Sequence, residues 1–178
     1  KANRNAEIDN LQLNDNNFTV TVLRFSSVYG KSPRMRFDTA VNCMVLDLFK
    51  NNKISVKGKS NKRPFIHVKD VVQAYKLAIT AQKDKISGQI FNVGSENQNY
   101  QMSDLANEIA KICDTKCEIE LSDTNDHRSY FASFKKIHDT LGFSAQLGVK
   151  DGVKEIHESL LAGEITDSIK TRTVDWYK

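Results

Sequence analysis

The amino-acid sequence predicts an α/β fold in which short strands alternate with helices. Two observations carry this. Runs rich in β-branched and aromatic residues recur between stretches whose apolar residues fall at i, i+3, i+4 and i+7. The first such run, Phe18 to Phe25, ends in a near-continuous apolar stretch (Val22, Leu23, Phe25), the pattern of a strand covered on both faces in a parallel sheet.

The elements follow in order. Residues Lys1 to Leu13 carry weak helical patterning, with Ala2, Ala6 and Leu13 on one side. Asn14-Asp15-Asn16-Asn17 is a turn, and Phe18 to Phe25 the first strand. That strand needs neighbours and covering helices, and little of the chain precedes it, so an N-terminal half is expected upstream. Ser26 to Phe37 reads as a loop holding Gly30, Pro33 and two arginines. A helix is expected from Asp38, as N-cap, to Lys50, with Val41, Met44, Val45, Leu48 and Phe49 on its apolar face. Asn51-Asn52 ends it. Ile54 to Val56 and Phe65 to Val68 are short strands, and Asp70 is expected to cap a helix to Ala81 with Val71, Tyr75, Ala78 and Ile79 inward. Gln89 to Gly94 is a strand running into a turn. Helices are expected over Met102–Cys113, 133–141 and 149–161, and a strand over Glu118–Leu121; Gly163 to Lys178 reads as a polar tail.

Composition narrows the function classes. The 178 residues, 39% hydrophobic and 27% charged, are those of a globular domain able to bury its own core. No apolar run approaches the ~18 residues of a membrane span, and the start of the chain is polar, without a secretory apolar region. Three cysteines at irregular spacing (Cys43, Cys113, Cys117) argue against a disulfide framework and for a reducing, cytoplasmic setting. With four scattered histidines they offer no metal-ligand pattern. The net charge of +4 is spread out, and the densest basic segment, Lys57 to Arg63, lacks the interleaved aromatics that nucleic-acid binding favours.

A dinucleotide site needs a glycine-rich turn ahead of a helix N-terminus. The eight glycines never form one, so this chain by itself is not expected to hold NAD tightly. What the sequence does offer is arginines at loops and strand ends: Arg34, Arg36, Arg63 and Arg128. A guanidinium fork grips two phosphate oxygens at once, so two or three of these converging would clamp a diphosphate. Spacing alone leaves open whether they converge or lie as separate surface arginines.

An ordered set of segments then resembles the extended short-chain dehydrogenase/reductases that act on nucleotide sugars. They are Leu23-Arg24-Phe25-Ser26-Ser27-Val28-Tyr29-Gly30, Ser32-Pro33-Arg34-Met35-Arg36-Phe37-Asp38, Arg63-Pro64-Phe65-Ile66-His67-Val68-Lys69-Asp70-Val71, Phe91-Asn92-Val93-Gly94, Arg128-Ser129-Tyr130 and Leu141-Gly142-Phe143. The resemblance implies the C-terminal part of an NAD-dependent nucleotide-sugar epimerase or dehydratase. The fold implied is the last part of a Rossmann-like parallel sheet plus a small mixed α/β substrate-binding domain. Residues 1–30 would be the remnant of the NAD-binding domain, 31–162 mainly the substrate domain with returning sheet elements near 65–95, and 163–178 a tail.

The family's catalytic pair is a tyrosine and a lysine four residues later. Counting back from Tyr29-Gly30 places the lysine at Lys1, which the resemblance gives a role on the nicotinamide ribose and in lowering the tyrosine pKa. It further implies that Phe25, Ser26 and Val28 line the cofactor. Ser27, Asp38, Thr39 and Asn42 would meet the substrate, Arg63 and Arg128 its diphosphate, and Tyr130 would wall the pocket. The strand Ile54 to Lys57 would run beside the nucleotide base, and His67 and Asp70 would orient a strand-to-helix turn. Ser27 departs from relatives with asparagine there.

The whole enzyme would oxidise a sugar carbon by hydride transfer to NAD, then epimerise or dehydrate the 4-keto sugar. NAD would be bound mainly upstream, the fragment alone inactive, and the assembly a homodimer packed through helices including the one after Lys1. No nucleic-acid or membrane partner is expected. The alternatives are a non-catalytic nucleotide-sugar binding module, a scaffold binding RNA or protein, and a nucleotide-sugar reductase of the same family.

Overall fold

The computed structural model describes residues 2–125 and 128–177. Helix α1 (Ala2–Gln12) leads through a turn into β1 (Thr21–Phe25). The Asp15 carboxylate accepts from the amides of Asn17 and Phe18, both at 2.7 Å, and Asn14 Oδ1 accepts from the Val20 amide at 2.8 Å. Turn side chains thus satisfy the amides before Thr21, and the strand begins there rather than at Phe18. The expected loop from Ser26 holds a short strand, β2 (Ser27–Tyr29), too brief to show an alternation in sequence. Helix α2 (Ala40–Asn51) starts one residue later than expected: Thr39 rather than Asp38 is its N-cap, with no side-chain cap bond, and Asn52 closes it in the left-handed region at φ 49°.

Next come β3 (Lys53–Lys57), β4 (Lys62–His67), α3 (Val68–Thr80), the short α4 (Lys83–Ile86) and β5 (Gln89–Val93). A 3₁₀ turn at Glu96–Gln98 precedes β6 (Asn99–Gln101), α5 (Met102–Ile112) and β7 (Glu118–Ser122). Helices α6 (Lys135–Leu141) and α7 (Val149–Leu161) follow, then a 3₁₀ turn at Ile169–Thr171 and α8 (Thr173–Trp176). The fold is mixed α/β with parallel pairing, as expected: β1 with β5, β2 with β4 and β3 with β7, while β6 joins β4 antiparallel. No described helix is long and apolar enough to cross a membrane.

Two apolar clusters meet at β4, whose residues Pro64 to His67 are all buried. Successive side chains point to opposite faces of a strand. Phe65 therefore joins a cluster with α2, β3, α5 and α7, while Ile66 joins one with Ala74, Phe91, Val93, Phe134 and Ile137. Helix α7 reaches the first cluster through Val149, Val153, Ile156 and Leu160, one face of a 3.6-residue period. Gly152 on this helix admits the Tyr29 ring; a Cβ there would lie 2.5 Å from it.

Three further expectations change. Asp70 does not cap α3: the N-cap is His67, whose Nδ1 accepts from the Lys69 amide at 3.2 Å. The buried Asp70 carboxylate instead accepts from the Gln146 and Leu147 amides, each at 3.0 Å, tying the loop before α7 to α3. Tyr75 and Ile79 are not inward; they are 50% and 79% exposed, because α3 buries the narrow face of small residues Ala74 and Ala78. The expected tail is docked: Ile165 and Thr171 are buried, and the Phe37 amide donates to the Thr171 carbonyl at 2.9 Å.

Candidate functional site

A cleft of about 480 Å³ opens where β4 begins, lined by residues from β2, β4, the start of α2, the end of β3 and the turn after it, the start of α5 and the segment after β7. At its base a tight turn returns the chain from β3 to β4. Gly58 adopts φ +73°, and its Cβ position would fall 2.6 Å from the Thr124 methyl and 2.7 Å from the Asn61 amide, so only glycine fits. The turn is closed by Asn61 N donating to Gly58 O at 2.9 Å, and Met102 N donates to Asn61 O at 3.0 Å. Lys57, Asn61, Thr124 and Met102 thereby face the same cavity.

Arg63 stands on β4, whose first residues pair with β6. The segment 128–130 is sewn to the same strand: Tyr130 N donates to Lys62 O and Lys62 N donates to Ser129 Oγ, both at 3.0 Å. These bonds bring Arg128 and Tyr130 beside Arg63. The Arg63 guanidinium carbon lies 5.6 Å from the Tyr130 ring centroid, within cation–π range, so ring and guanidinium share one wall. Ser27 sits opposite Phe65 in the β2–β4 register, and both line the cleft.

Asp38 is the carboxylate of this otherwise cationic cleft. Arg36 forks onto it, Nε to Oδ1 at 3.1 Å and Nη2 to Oδ2 at 3.0 Å, and the Thr173 amide donates to Oδ2 at 3.2 Å. Partial burial pushes the Asp38 pKa up, but the Arg36 hydrogen bonds and charge, helped by backbone donors, outweigh it, and the carboxyl titrates below its ordinary value. Asp38 is thus ionised and largely neutralised by Arg36. The same lining holds the cationic side chains of Lys57, Arg63 and Arg128 and the hydroxyls of Ser27 and Thr124.

Five of the expected substrate residues, Ser27, Asp38, Arg63, Arg128 and Tyr130, therefore line one cleft. Two do not. Thr39 turns its hydroxyl to the Arg36 carbonyl at 3.0 Å. Asn42 is buried, accepting from Gly30 N at 3.2 Å and donating to Arg36 O at 3.1 Å, so it ties together the two ends of the loop between β2 and α2. Among the expected cofactor residues, Ser26 is buried with Oγ on the Val93 carbonyl at 3.0 Å, Phe25 stacks on Tyr75 at 5.1 Å, and Val28 packs into the second cluster. Lys1 lies outside the described residues.

Sequence reasoning did not single out Lys57, Asn61, Met102 or Thr124. The cation density of Lys57–Arg63 was the available signal for the first two; nothing in sequence placed Thr124 or Met102. At the other end of β4, His67 donates from Nε2 to Glu155 at 3.1 Å, and Lys69 donates to the second oxygen of that carboxylate at 2.6 Å. Burial pushes the His67 pKa down against Glu155, and burial pushes the Tyr29 phenol well above its usual range. Both groups are structural in this setting: the Tyr29 hydroxyl donates to Gln98 Oε1 at 2.6 Å, away from the cleft lining.

The profile of the NAD dependent epimerase/dehydratase family matches residues 7–94. The chain is 28% identical over 154 residues to a CDP-paratose 2-epimerase of Salmonella typhi, covering 77% of this chain and 43% of that protein. It is 28% identical over 185 residues to UDP-D-apiose/UDP-D-xylose synthase 2 of Arabidopsis thaliana, covering 89% and 47%. The chain thus spans under half the length of these relatives. Among solved structures it is similar to RMD from Pseudomonas aeruginosa complexed with NADPH, with TM-score 0.76 and 20% identity over 89% of this chain and 54% of the other. It is also similar to UDP-glucuronic acid 4-epimerase from Bacillus cereus in complex with UDP-glucuronic acid and NAD, with TM-score 0.71 and 19% identity over 82% and 46%. At these identities the structural likeness is one of fold.

Proposed function

We propose, from the match of residues 7–94 to the NAD dependent epimerase/dehydratase family, that this chain is the substrate-holding part of a nucleotide-sugar epimerase or dehydratase. The observation that carries this reading is the convergence of Lys57, Arg63 and Arg128 with Tyr130, Asp38 and Ser27 on one cleft. Arginine forks grip the oxygens of a diphosphate in pairs, and Arg63 and Arg128 bring two of them to the cleft beside Lys57. The Tyr130 ring offers an apolar wall, and Asp38 and Ser27 offer acceptors for sugar hydroxyls. The structural neighbour that carries UDP-glucuronic acid is consistent with this ligand class.

In this reading the dinucleotide is held mainly outside this chain. The sequence has no glycine-rich phosphate turn. Ser26 and Val28, the positions nearest the expected nicotinamide, are committed to Val93 and to the apolar cluster. In this reading NAD is held by the remainder of the family's length, and oxidation and re-reduction of the sugar carbon belong to that longer polypeptide. What this chain contributes is binding and orientation of the substrate. Lys1 remains the residue proposed to act on the cofactor side, and the assembly proposed is a homodimer through α1, whose Ile8 is 45% exposed.

Nuclear magnetic resonance titration of the chain with UDP, CDP and inorganic phosphate tests the cleft. Either nucleotide should shift Arg63 and Arg128 side-chain signals at lower concentration than phosphate does, and Arg63→Ala should weaken the binding about tenfold. Absence of any cleft shift with both nucleotides would overturn the reading.

A further inference from the structure

The stretch after α7 is stitched to the loop that ends in Asp38. Arg34 Nε donates to the Lys170 carbonyl at 3.2 Å, Phe37 N to the Thr171 carbonyl at 2.9 Å, and Thr173 N to Asp38 Oδ2 at 3.2 Å. A latch holds the stretch in place. The Asp167 carboxylate accepts Arg172 Nε at 3.2 Å and Nη2 at 3.1 Å, Thr171 Oγ1 at 3.1 Å and Lys50 Nζ of α2 at 2.8 Å. Partial burial raises the Asp167 pKa, yet these donors outweigh it and hold the value at about 2, so the latch is charged across the ordinary pH range.

Asp38 lines the cleft, and its two oxygens receive three hydrogen bonds, two from the flexible Arg36 side chain and one from a backbone amide. Only the amide is anchored to a second part of the fold. Without it the Asp38 carboxylate keeps only the Arg36 fork, an ion pair whose arginine side chain is 54% exposed and two residues away on the same loop. We propose that residues Asp167–Thr173 are a positioning strap that holds the Asp38 carboxylate at the cleft, so that recognition of the ligand's hydroxyl-bearing end depends on the strap being docked. Thr173 is the positioning residue and acts through its backbone N–H. Its hydroxyl is buried without a hydrogen-bond partner. The ligand side of this inference rests on the nucleotide-sugar reading of the cleft.

Two substitutions at one position separate the amide from everything else. Thr173 is the first residue of α8, where proline is tolerated, and Arg172 before it is extended rather than helical (φ −118°, ψ 95°), a small rotation in ψ from the range that precedes proline. Thr173→Pro therefore deletes the donor with little other change, and Thr173→Ala keeps it. The first readout needs no ligand: the Asp38 carboxyl is titrated by carbon-detected nuclear magnetic resonance. Its pKa should rise in Thr173→Pro and stay at the wild-type value in Thr173→Ala; equal values in all three proteins would overturn the strap.

The second readout compares UDP with UDP-glucose, and CDP with CDP-glucose. The sugar conjugate should bind several-fold more tightly than the parent diphosphate in wild type and in Thr173→Ala. That increment should be lost in Thr173→Pro and in Asp38→Asn, with diphosphate affinity unchanged in Thr173→Pro. An increment that survives Thr173→Pro would overturn the inference while leaving the diphosphate reading intact. Failure of all four ligands to bind would instead sink the nucleotide-sugar reading, and the carboxyl titration would still decide the strap.

Discussion

Arg63 and Arg128 come from distant parts of the chain and meet because Tyr130 N and Ser129 Oγ bond to Lys62. Charge alone is not what Arg63 supplies: its fork and its stacking on Tyr130 both need the planar guanidinium. Arg63→Lys should therefore lose most of the nucleotide affinity that Arg63→Ala loses, roughly five- to tenfold, as isothermal calorimetry would show. His67 carries a separate prediction. Its Nδ1 accepts from the Lys69 amide and its Nε2 donates to Glu155, so the neutral ring fits and the protonated one loses the helix cap. The faces around it present Glu155, Lys69, Asp70 and Tyr29, and burial still leaves its pKa below the ordinary value of 6.5. A depressed folded-state pKa means that the unfolded chain binds the extra proton first. Stability present above about pH 6.5 should fall as pH drops toward the folded pKa. Thermal unfolding followed from pH 7 to 5 should show this decline, and His67→Asn, which keeps a cap acceptor, should flatten it.

At the level of elements, helices α7 and α3 have similar lengths and opposite settings. Ile156 on α7 is fully buried in the first cluster, whereas Ile79 on α3 is 79% exposed. Ile156→Ala should cost about 2–5 kcal/mol, while Ile79→Ala should stay within about 0.5 kcal/mol. Denaturant midpoints of the two variants measure both. Gly152→Ala brings a methyl against the Tyr29 ring and should cost about 1–3 kcal/mol through overpacking, although alanine is the better helix former. Helix α7 was legible from sequence because its apolar face is continuous over Val149 to Leu161. Helix α3 was misread on its inward face because what it buries is alanine and an aspartate, and small residues leave little periodic signal.

Across the whole molecule, the cleft's recognition is ionic and partly exposed, so nucleotide affinity should fall several-fold between 0.05 and 0.5 M salt. Calorimetry with NAD should show no binding tighter than about 1 mM, the weak end of the affinity scale, in line with the engaged state of Ser26 and Val28. The docking of residues 165–173 extends the first cluster through Ile165 and sews the end of the chain to the loop before α2. Composition offered no hint of it. The stretch is polar because it bonds through backbone groups and through Asp167, Arg172 and Thr171 rather than through an apolar face.

Sequence by itself determined the alternation of strands and helices, the parallel character of β1, the limits of α7, and five of the residues that line the cleft, Ser27, Asp38, Arg63, Arg128 and Tyr130. These are set by local periodicity and by short motifs whose residue types answer one chemical need. The tertiary structure alone decided that Lys57, Asn61 and Thr124 share a cavity with Arg63 and Arg128, that Thr39 and Asn42 turn to backbone groups, and that the end of the chain reaches Asp38. Such outcomes depend on which distant backbone amides and carbonyls pair, and a backbone group is the same at every position of the sequence.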